Sequence, residues 1–346
     1  MTDVDVPPPA ERGDRVAVVA PASGLGAAYP AVYRLGLERL RTFDLEPVEY
    51  PTATQDDDYL SDHPEARAAD VERAFRDPDV GAVVAVIGGN DQLRIVEHLD
   101  TDVLAANPTR FLGVSDNTVL HAALADAGVA SFYGGNLLTD FAGPDGIHDY
   151  TREALERAFF GEPAGPLLPA PEFTDDNPDW GRDDYRDLER EWEPNPGWDW
   201  RGGESAASGR TWGGCLEVVD LLLAADRFVP DDGPLVLCLE TSEELPGAGF
   251  VRRALLAMGE RGLLDRTAAV LVGRPMARSH RVDRPPEERA AYRERQYDAV
   301  AEVVAEYAPG APVVCGLDFG HTAPTAVPPL GVRATVDPGA GTVEFG

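Results

Sequence analysis

The sequence predicts an α/β protein built on a parallel β-sheet with helices on both faces. Short apolar runs, such as RVAVVA (15–20) and GAVVAVIGG (81–89), alternate with segments whose apolar residues recur at helical spacing. This alternation is typical of parallel strands joined by crossover helices. The length of 346 residues allows two domains, and a hydrophobic content of 43% indicates a globular chain.

The elements can be placed in chain order from these patterns. In the first half we expect strands at 15–20, 81–89, 110–114 and 129–133, and helices at 31–42, around 70–75, 93–100 and 117–127. In the second half we expect helices at 213–225, 251–262 and 286–306, and strands at 234–240, 268–275, 312–320, 331–337 and 342–346.

The middle of the chain differs, because periodicity is lost between residues 162 and 208, where Pro, Gly, Asp and Trp are frequent. A stretch of this length without periodicity is usually functional or a linker. We therefore divide the chain into an N-terminal domain (1–165), an aromatic and acidic linker or substrate loop (166–208) and a C-terminal domain (209–346). All five tryptophans lie between residues 171 and 212: Trp180, Trp192, Trp198, Trp200 and Trp212. Such rings either anchor a long loop or stack on a flat substrate group.

The charge is strongly acidic, with 61 Asp and Glu against 30 basic residues, none of them lysine. One interpretation is a surface that binds a basic partner, and the other is a solvated surface adapted to a salt-rich cytosol. The acidic residues are spread along the whole chain, which favours the second interpretation and a halophilic source. A net charge of −31 also argues against nucleic acid as a partner, because phosphates require basic patches.

Several other classes of function find little support. No apolar run approaches membrane-spanning length, and the acidic, proline-rich N-terminus does not read as a signal peptide, so we expect a cytoplasmic protein without a membrane partner. Three cysteines, Cys215, Cys238 and Cys315, are scattered, and Cys238 and Cys315 lie in apolar strand-like runs that predict buried free thiols. The turn GLG (24–26) lacks the third glycine of a dinucleotide fingerprint, which argues against a nucleotide-dependent oxidoreductase, and no metal-binding motif is present.

Ser115 stands at a predicted corner between a strand and a helix, in FLGVSDNTVL (111–120). From its position alone, a helix N-cap is the favoured interpretation. Two features favour a nucleophile instead. Gly113 permits the close backbone approach that a sharp strand-to-helix turn needs, and backbone N–H groups at a helix N-terminus converge where an oxyanion would form.

A serine nucleophile needs a base, and a base needs an orienting acid. Of the six histidines, His321 is distinct because it follows Gly320 at the end of an apolar strand. Open α/β sheets place active residues at such strand ends. Glu240 ends the apolar run LVLCL (235–239), where a carboxylate tends to be partly buried and to need a partner. Glu243 and Glu244 are interpreted as solvated loop charges.

Eight segments of this sequence together resemble the LD-carboxypeptidase family of serine peptidases, in particular its microcin-immunity-like branch. The order and spacing of the segments make the resemblance specific, rather than any single motif. They are GDRVAVVAPAS (13–23), RAADVERAFRDPDVGAVVAVIGGND (67–91), GVSDNT (113–118), YGGNLL (133–138), PNPGW (194–198), GRTWGGCLEVVDLL (209–222), LCLE (237–240) and GHTAPTAVPPLGV (320–332).

The resemblance implies an N-terminal flavodoxin- or Rossmann-like domain, a smaller C-terminal domain with a β-barrel-like core, a homodimer, and catalysis without metal or cofactor. It implies a triad of Ser115, Glu240 and His321 that cleaves an amide, with Ser115 Oγ within about 3.5 Å of the imidazole. The implied oxyanion donors are the backbone N–H groups of Gly89 and Asp116.

Substrate contacts are expected from the glycine-rich turns and the aromatic stretch, namely Gly88, Asn90, Asn136, Trp180, Trp192 and Trp198. The IGGND (87–91) and SDNT (115–118) forms resemble those of the microcin-immunity-like branch, and this resemblance implies acylated nucleotides and related amides as substrates rather than cell-wall muropeptides. The alternative from another class is a catalytically silent small-molecule-binding protein on the same scaffold.

Overall fold

The computed structural model describes residues 4–346, which form two large β-sheets and a short two-stranded one. The strands are β1 (Arg15–Val19), β2 (Glu46–Glu49), β3 (Val80–Ala85), β4 (Arg110–Gly113), β5 (Ser131–Tyr133), β6 (Gly165–Leu167), β7 (Glu172–Phe173), β8 (Glu193–Pro194), β9 (Asp199–Gly202), β10 (Ala207–Cys215), β11 (Leu235–Glu240), β12 (Thr267–Gly273), β13 (Pro312–Leu317), β14 (Pro329–Leu330), β15 (Arg333–Asp337) and β16 (Thr342–Phe345).

Helices connect most of these strands. The α-helices are α1 (Leu25–Ala28), α2 (Pro30–Leu40), α3 (Asp57–Asp62), α4 (Pro64–Arg76), α5 (Thr101–Ala106), α6 (Thr118–Asp126), α7 (Asp149–Phe160), α8 (Leu216–Ala225), α9 (Ala248–Glu260) and α10 (Pro286–Tyr307). Short 3₁₀ helices span Arg41–Phe43, Pro51–Thr54, Gln92–His98, Ser115–Asn117, Tyr185–Asp187 and Leu264–Arg266, and a π-helical turn spans Leu137–Phe141.

The first sheet has six strands in the order β14-β5-β4-β3-β1-β2. Its five N-terminal strands are parallel, and β14, from the far end of the chain, adds to β5 in antiparallel orientation. Both faces are covered, one by α2, α7 and the π-helical turn and the other by α4, α5 and α6. Burial on both faces explains why β1 and β3 read as continuous apolar runs.

The second sheet has eight strands in the order β6-β16-β15-β10-β11-β12-β13-β9. The four central strands β10 to β13 are parallel, and the flanking strands pair antiparallel. Within residues 4–346 no pairing joins β6 to β9, so this sheet is open, in contrast to the expected barrel-like closure. One face packs on α8, α9 and α10, and the other meets Val114 and Tyr133 of the first sheet.

The predicted fold class and most predicted elements are confirmed, with informative exceptions. β2 and α7 were not predicted: β2 is a short strand with little apolar character, whereas α7 has helical spacing at Ala154, Leu155, Ala158 and Phe159 that sequence reasoning missed. Residues 213–215 continue strand β10 rather than beginning helix α8, and residues 92–98 are 3₁₀ rather than α-helical. The middle stretch holds short strands and the 3₁₀ helix Tyr185–Asp187, and two of its strands, β6 and β9, are the edge strands of the second sheet.

Two further properties concern the cysteines and the helices of residues 4–346. The three cysteines are buried and free, as expected for Cys238 and Cys315. Across the described part of the chain, no helix combines the length and the apolar character needed to cross a bilayer.

Candidate active site

Ser115 lies at a strained corner where β4 turns into α6. Val114 is extended, with φ −144°, and Ser115 has φ +70°, the left-handed region that non-glycine residues seldom adopt. Such a conformation costs on the order of 1–3 kcal/mol and persists where the surroundings impose it, often at functional sites. The Ser115 side chain caps neither the 3₁₀ turn nor α6. The N-cap interpretation is therefore wrong.

Two buried asparagines hold this corner. Asn136 accepts a hydrogen bond from Val114 N–H at 3.1 Å, and Asn117 Nδ2 donates to the carbonyls of Val114 (3.0 Å) and Ile87 (3.2 Å). Asn136 is fully buried, so its amide is committed to the backbone of the corner. Asn136 thus positions Ser115 through the backbone of Val114, and its contact with substrate stays a prediction.

The glycine-rich turn after β3 packs directly on Ser115. A Cβ atom added to Gly88 would lie 2.6 Å from Ser115 Cβ and 2.9 Å from Oγ, so only glycine fits there. The same atom would lie 3.2 Å from Asp116 N. Gly89 and Asn90 follow on the exposed side of this turn. The turn and the corner thus bring together the segments that carry the predicted oxyanion donors, Gly89 and Asp116, whose role stays a prediction.

Glu240 and His321 form a close pair at the second sheet. Glu240 ends β11 and is only 2% exposed, and its Oε2 lies 2.7 Å from His321 Nδ1. Gly320, with φ +100°, makes this approach possible, because a Cβ there would lie 2.5 Å from Glu240 Oε2. A carboxylate on Nδ1 fixes the imidazole so that Nε2 is the nitrogen available for chemistry.

Tyr133 links this pair to the corner at Ser115. Its hydroxyl donates to Glu240 Oε1 at 2.6 Å and accepts from the Ser115 N–H at 3.2 Å. Tyr133 is fully buried between the two sheets. Hydrogen bonds therefore run from Ser115 through Tyr133 and Glu240 to His321. Sequence reasoning missed Tyr133, although it begins the YGGNLL segment (133–138).

Nε2 of His321 is paired with Glu243 in this structure, and it makes no hydrogen bond to the serine. It lies 3.1 Å from Glu243 Oε2, and Ser115 Oγ and His321 are not hydrogen-bonded to each other. The expected serine–imidazole contact is thus not formed, and the interpretation of Glu243 as a solvated loop charge is wrong. Burial by itself lowers the pKa of His321, but the carboxylates of Glu240 and Glu243 outweigh it and hold that pKa well above 6.5.

Asp140 is a second acidic group near the site that sequence reasoning missed. Its Oδ2 accepts hydrogen bonds from the N–H groups of Gly135 (2.5 Å) and Asn136 (3.1 Å). Burial raises the pKa of Asp140 to about 6, against the lowering effects of these bonds and of the charges of Arg190 and His321. Asp140 therefore supports the turn that carries Asn136.

The aromatic stretch is anchored to the body of the protein. Trp180 packs edge-on against Tyr29 with ring centroids 5.4 Å apart, and Trp192 Nε1 donates to Asp145 at 2.9 Å. Trp198 and Trp200 lie with centroids 6.3 Å apart. Within residues 4–346 no aromatic pair or hydrogen bond joins these rings to Ser115 or His321. Their contact with substrate stays a prediction.

The same stretch nevertheless runs beside the histidine loop. Thr174 and Ala323 exchange backbone hydrogen bonds, at 2.7 and 2.9 Å, two residues beyond His321. Asn195 Nδ2 donates to Asp318 at 3.0 Å, on the strand side of that loop. The linker thus passes close to the catalytic candidates. No group of three or more His, Cys, Asp or Glu side chains with metal-binding geometry occurs in the described part of the chain.

Comparisons with known proteins agree with the family resemblance. Residues 16–134 match the model of the LD-carboxypeptidase N-terminal domain, and residues 208–336 match that of the C-terminal domain. A predicted carboxypeptidase of Streptomyces coelicolor is 31% identical over 96% of this chain and 93% of its own. The microcin C7 self-immunity protein MccF of Escherichia coli is 24% identical over 87% of this chain and 84% of its own.

A solved structure shows the same fold. The MccF-like protein of Streptococcus pneumoniae, crystallised in complex with AMP, superposes with a TM-score of 0.84 at 27% identity, over 96% of this chain and 98% of that one. The similarity therefore extends over both sheets.

Proposed function

Because this chain belongs to the LD-carboxypeptidase family, we propose that it is a serine hydrolase that cleaves an amide bond through Ser115, His321 and Glu240. Ser115 comes from the N-terminal domain (1–165) and the other two from the C-terminal domain (209–346). One observation carries the proposal. A serine held at φ +70° is joined through Tyr133 to a buried carboxylate that orients a histidine.

The chemistry follows from the roles of these groups. His321 Nε2 takes the proton of Ser115 Oγ, which attacks the substrate carbonyl carbon. The developing oxyanion accepts hydrogen bonds from the N–H groups of Gly89 and Asp116. His321 then gives its proton to the leaving amine, and a water molecule, deprotonated by the same nitrogen, hydrolyses the acyl-enzyme. Glu240 stabilises the imidazolium that forms in each step.

The substrate class we propose is a small peptide-like or acyl-nucleotide-like amide. Support comes from the MccF-like protein of Streptococcus pneumoniae, which was solved with AMP, because it shares the fold over nearly the whole chain. Ser115 is partly exposed, and the exposed residues Gly89 and Asn90 follow Gly88, which packs on Ser115. A muropeptide substrate is the alternative that the family name favours.

A second candidate function is a catalytically silent small-molecule-binding protein. The observation that favours it is the contact between Glu243 and His321 Nε2, which leaves Ser115 without its base in this structure. Turnover by the purified protein decides between the two candidates.

The test is an activity profile of the purified protein in molar salt. It compares an LD-tetrapeptide with aminoacyl-sulfamoyl adenosines and follows amide hydrolysis by mass spectrometry. We expect cleavage of at least one class and loss of about 10³-fold or more in the Ser115→Ala variant. Cleavage that survives in Ser115→Ala, or no cleavage of either class, contradicts the proposed activity.

A further inference from the structure

We propose that Glu243 is a positioning residue that locks His321 in an inactive state, with one carboxylate against each ring nitrogen, until substrate displaces the Glu243 carboxylate. This inference rests on the proposed function, because it concerns the availability of the base. It adds to the triad a fourth side chain that controls when the triad forms.

The argument begins with the two nitrogens of one ring. Glu240 Oε2 lies 2.7 Å from Nδ1 of His321, and Glu243 Oε2 lies 3.1 Å from Nε2. Ionised carboxylates carry no proton, so a carboxylate beside each ring nitrogen is favourable when both nitrogens carry one. The ring is then an imidazolium, and it has no lone pair with which to take the proton of Ser115.

The charged surroundings of His321 favour this state. Glu240 approaches from β11, Glu243 from the loop after β11, and Asp140 from the π-helical turn of the first sheet. Behind Glu240 lie the neutral hydroxyl of Tyr133, the thiol of Cys215 and the carboxyl of Glu217. Among the described residues, these ionisable neighbours are acidic or neutral. The charges around His321 therefore favour its protonation, and burial of the ring opposes it.

The two carboxylates differ in how firmly they are held. Glu240 is buried on a strand and has a second partner in Tyr133. The Glu243 side chain is 53% exposed and lies on the loop between β11 and α9. Substrate entering beside Ser115 therefore displaces Glu243 and leaves Glu240 in place. When Glu243 leaves, the Nε2 proton passes to solvent water, Nδ1 keeps its proton toward Glu240, and the Nε2 lone pair turns toward Ser115.

The experiment measures the availability of the base directly. The rate at which a fluorophosphonate modifies Ser115 is followed by intact-protein mass spectrometry between pH 5 and 10. The variants are Glu243→Gln and Glu243→Ala, the second of which removes every hydrogen bond at this position. Glu244→Gln is the matched control, because it removes one negative charge from the neighbouring exposed residue without touching His321.

We expect the midpoint of the wild-type profile to lie well above pH 6.5. Both Glu243 variants should lower this midpoint by about one pH unit or more. The modification of Ser115 at pH 6 then becomes about tenfold faster. Glu244→Gln should stay close to wild type. Unchanged midpoints in both Glu243 variants, or an equal shift in Glu244→Gln, overturn the inference.

A second readout separates this inference from the proposed function. The imidazole nitrogens of His321 are titrated by NMR in wild type and Glu243→Gln. If no variant is modified at Ser115, the proposed function fails, while a lowered His321 pKa in Glu243→Gln still supports the contact. If that pKa is unchanged, the inference fails whatever the activity.

Discussion

Tyr133 donates a hydrogen bond to Glu240 across the junction of the two sheets, with 2.6 Å between Oη and Oε1. The same hydroxyl accepts the N–H of Ser115. One buried side chain thus fixes the nucleophile corner of the first sheet relative to the acid of the second. The distance between serine and histidine depends on this link, because Ser115 and His321 come from different sheets.

Tyr133→Phe should lower kcat more than it raises KM. The change leaves Glu240 Oε1 without a donor and Ser115 N–H without an acceptor, and each buried unsatisfied group costs about 1–3 kcal/mol. We expect kcat to fall about tenfold or more, measured in steady-state assays together with the melting temperature. Tyr150→Phe, which loses a single bond to the carbonyl of Leu168, is the control and should keep its kcat. Equal kcat values for the two variants would show that the link has no catalytic role.

Asp140→Asn should stabilise the protein at neutral pH. Burial raises the pKa of Asp140 to about 6, so the folded state binds its proton more tightly than the unfolded state does. This contribution to stability is fully present below the unfolded pKa of about 3.9 and is lost as pH rises through about 6. Asparagine removes the titration and keeps an acceptor for the N–H groups of Gly135 and Asn136.

The measurement is the free energy of unfolding between pH 4 and 8. The difference between Asp140→Asn and wild type should grow in favour of the variant as pH rises from 4 to 7. Asp149→Asn, at an exposed position at the start of α7, should show no such trend. If the difference in unfolding free energy between Asp140→Asn and wild type does not change with pH, the raised pKa of Asp140 is contradicted.

Salt should stabilise the folded state. A net charge of −31 makes like charges repel in the compact state, and exposed charges are screened only over about 10 Å at 0.1 M salt. We expect the melting temperature to rise steadily from dilute buffer to molar potassium chloride. A melting temperature that is the same at both ends of the series would exclude this electrostatic account.

At least one of Trp180, Trp192 and Trp198 should stack on a substrate group. The stretch that carries them is tied to the histidine loop by Thr174 and Ala323. One stacked ring contributes on the order of 1 kcal/mol, so its change to alanine should raise KM severalfold with little change in kcat. Trp200→Ala, on strand β9, serves as the comparison. If all three variants keep wild-type kinetics, the stretch is only an anchored linker.

Features with a strong local signal could be predicted from the sequence. Buried parallel strands such as β3 show as apolar runs, and strand ends flanked by glycine drew attention to Ser115 and His321. The acid Glu240 was found in the same way, at the end of β11, and it does contact His321. The family resemblance added the expectation that Ser115, Glu240 and His321 act together as a catalytic triad.

Features that depend on contacts between distant segments could not be predicted. Tyr133 meets Glu240 across 107 positions of sequence, and nothing in its neighbourhood marks it as a hydrogen-bond donor. Glu243 is one of two adjacent glutamates in a polar loop, and only the fold brings it to His321 while Glu244 stays free of it. Asn136 was identified by its motif, but its role depends on burial that a local pattern does not reveal.

The central claim is that Ser115 is a nucleophile, and its covalent capture tests this most directly. The protein is treated with a fluorophosphonate in molar salt at pH 8 and 9, digested, and the modified residue is located by mass spectrometry. The matched controls are Ser115→Ala and Ser23→Ala, the latter removing a hydroxyl that bonds the neighbouring Gly88 carbonyl. The account predicts one phosphonyl adduct on Ser115, retained in Ser23→Ala and absent in Ser115→Ala. No adduct at either pH, or one that persists in Ser115→Ala, would contradict it.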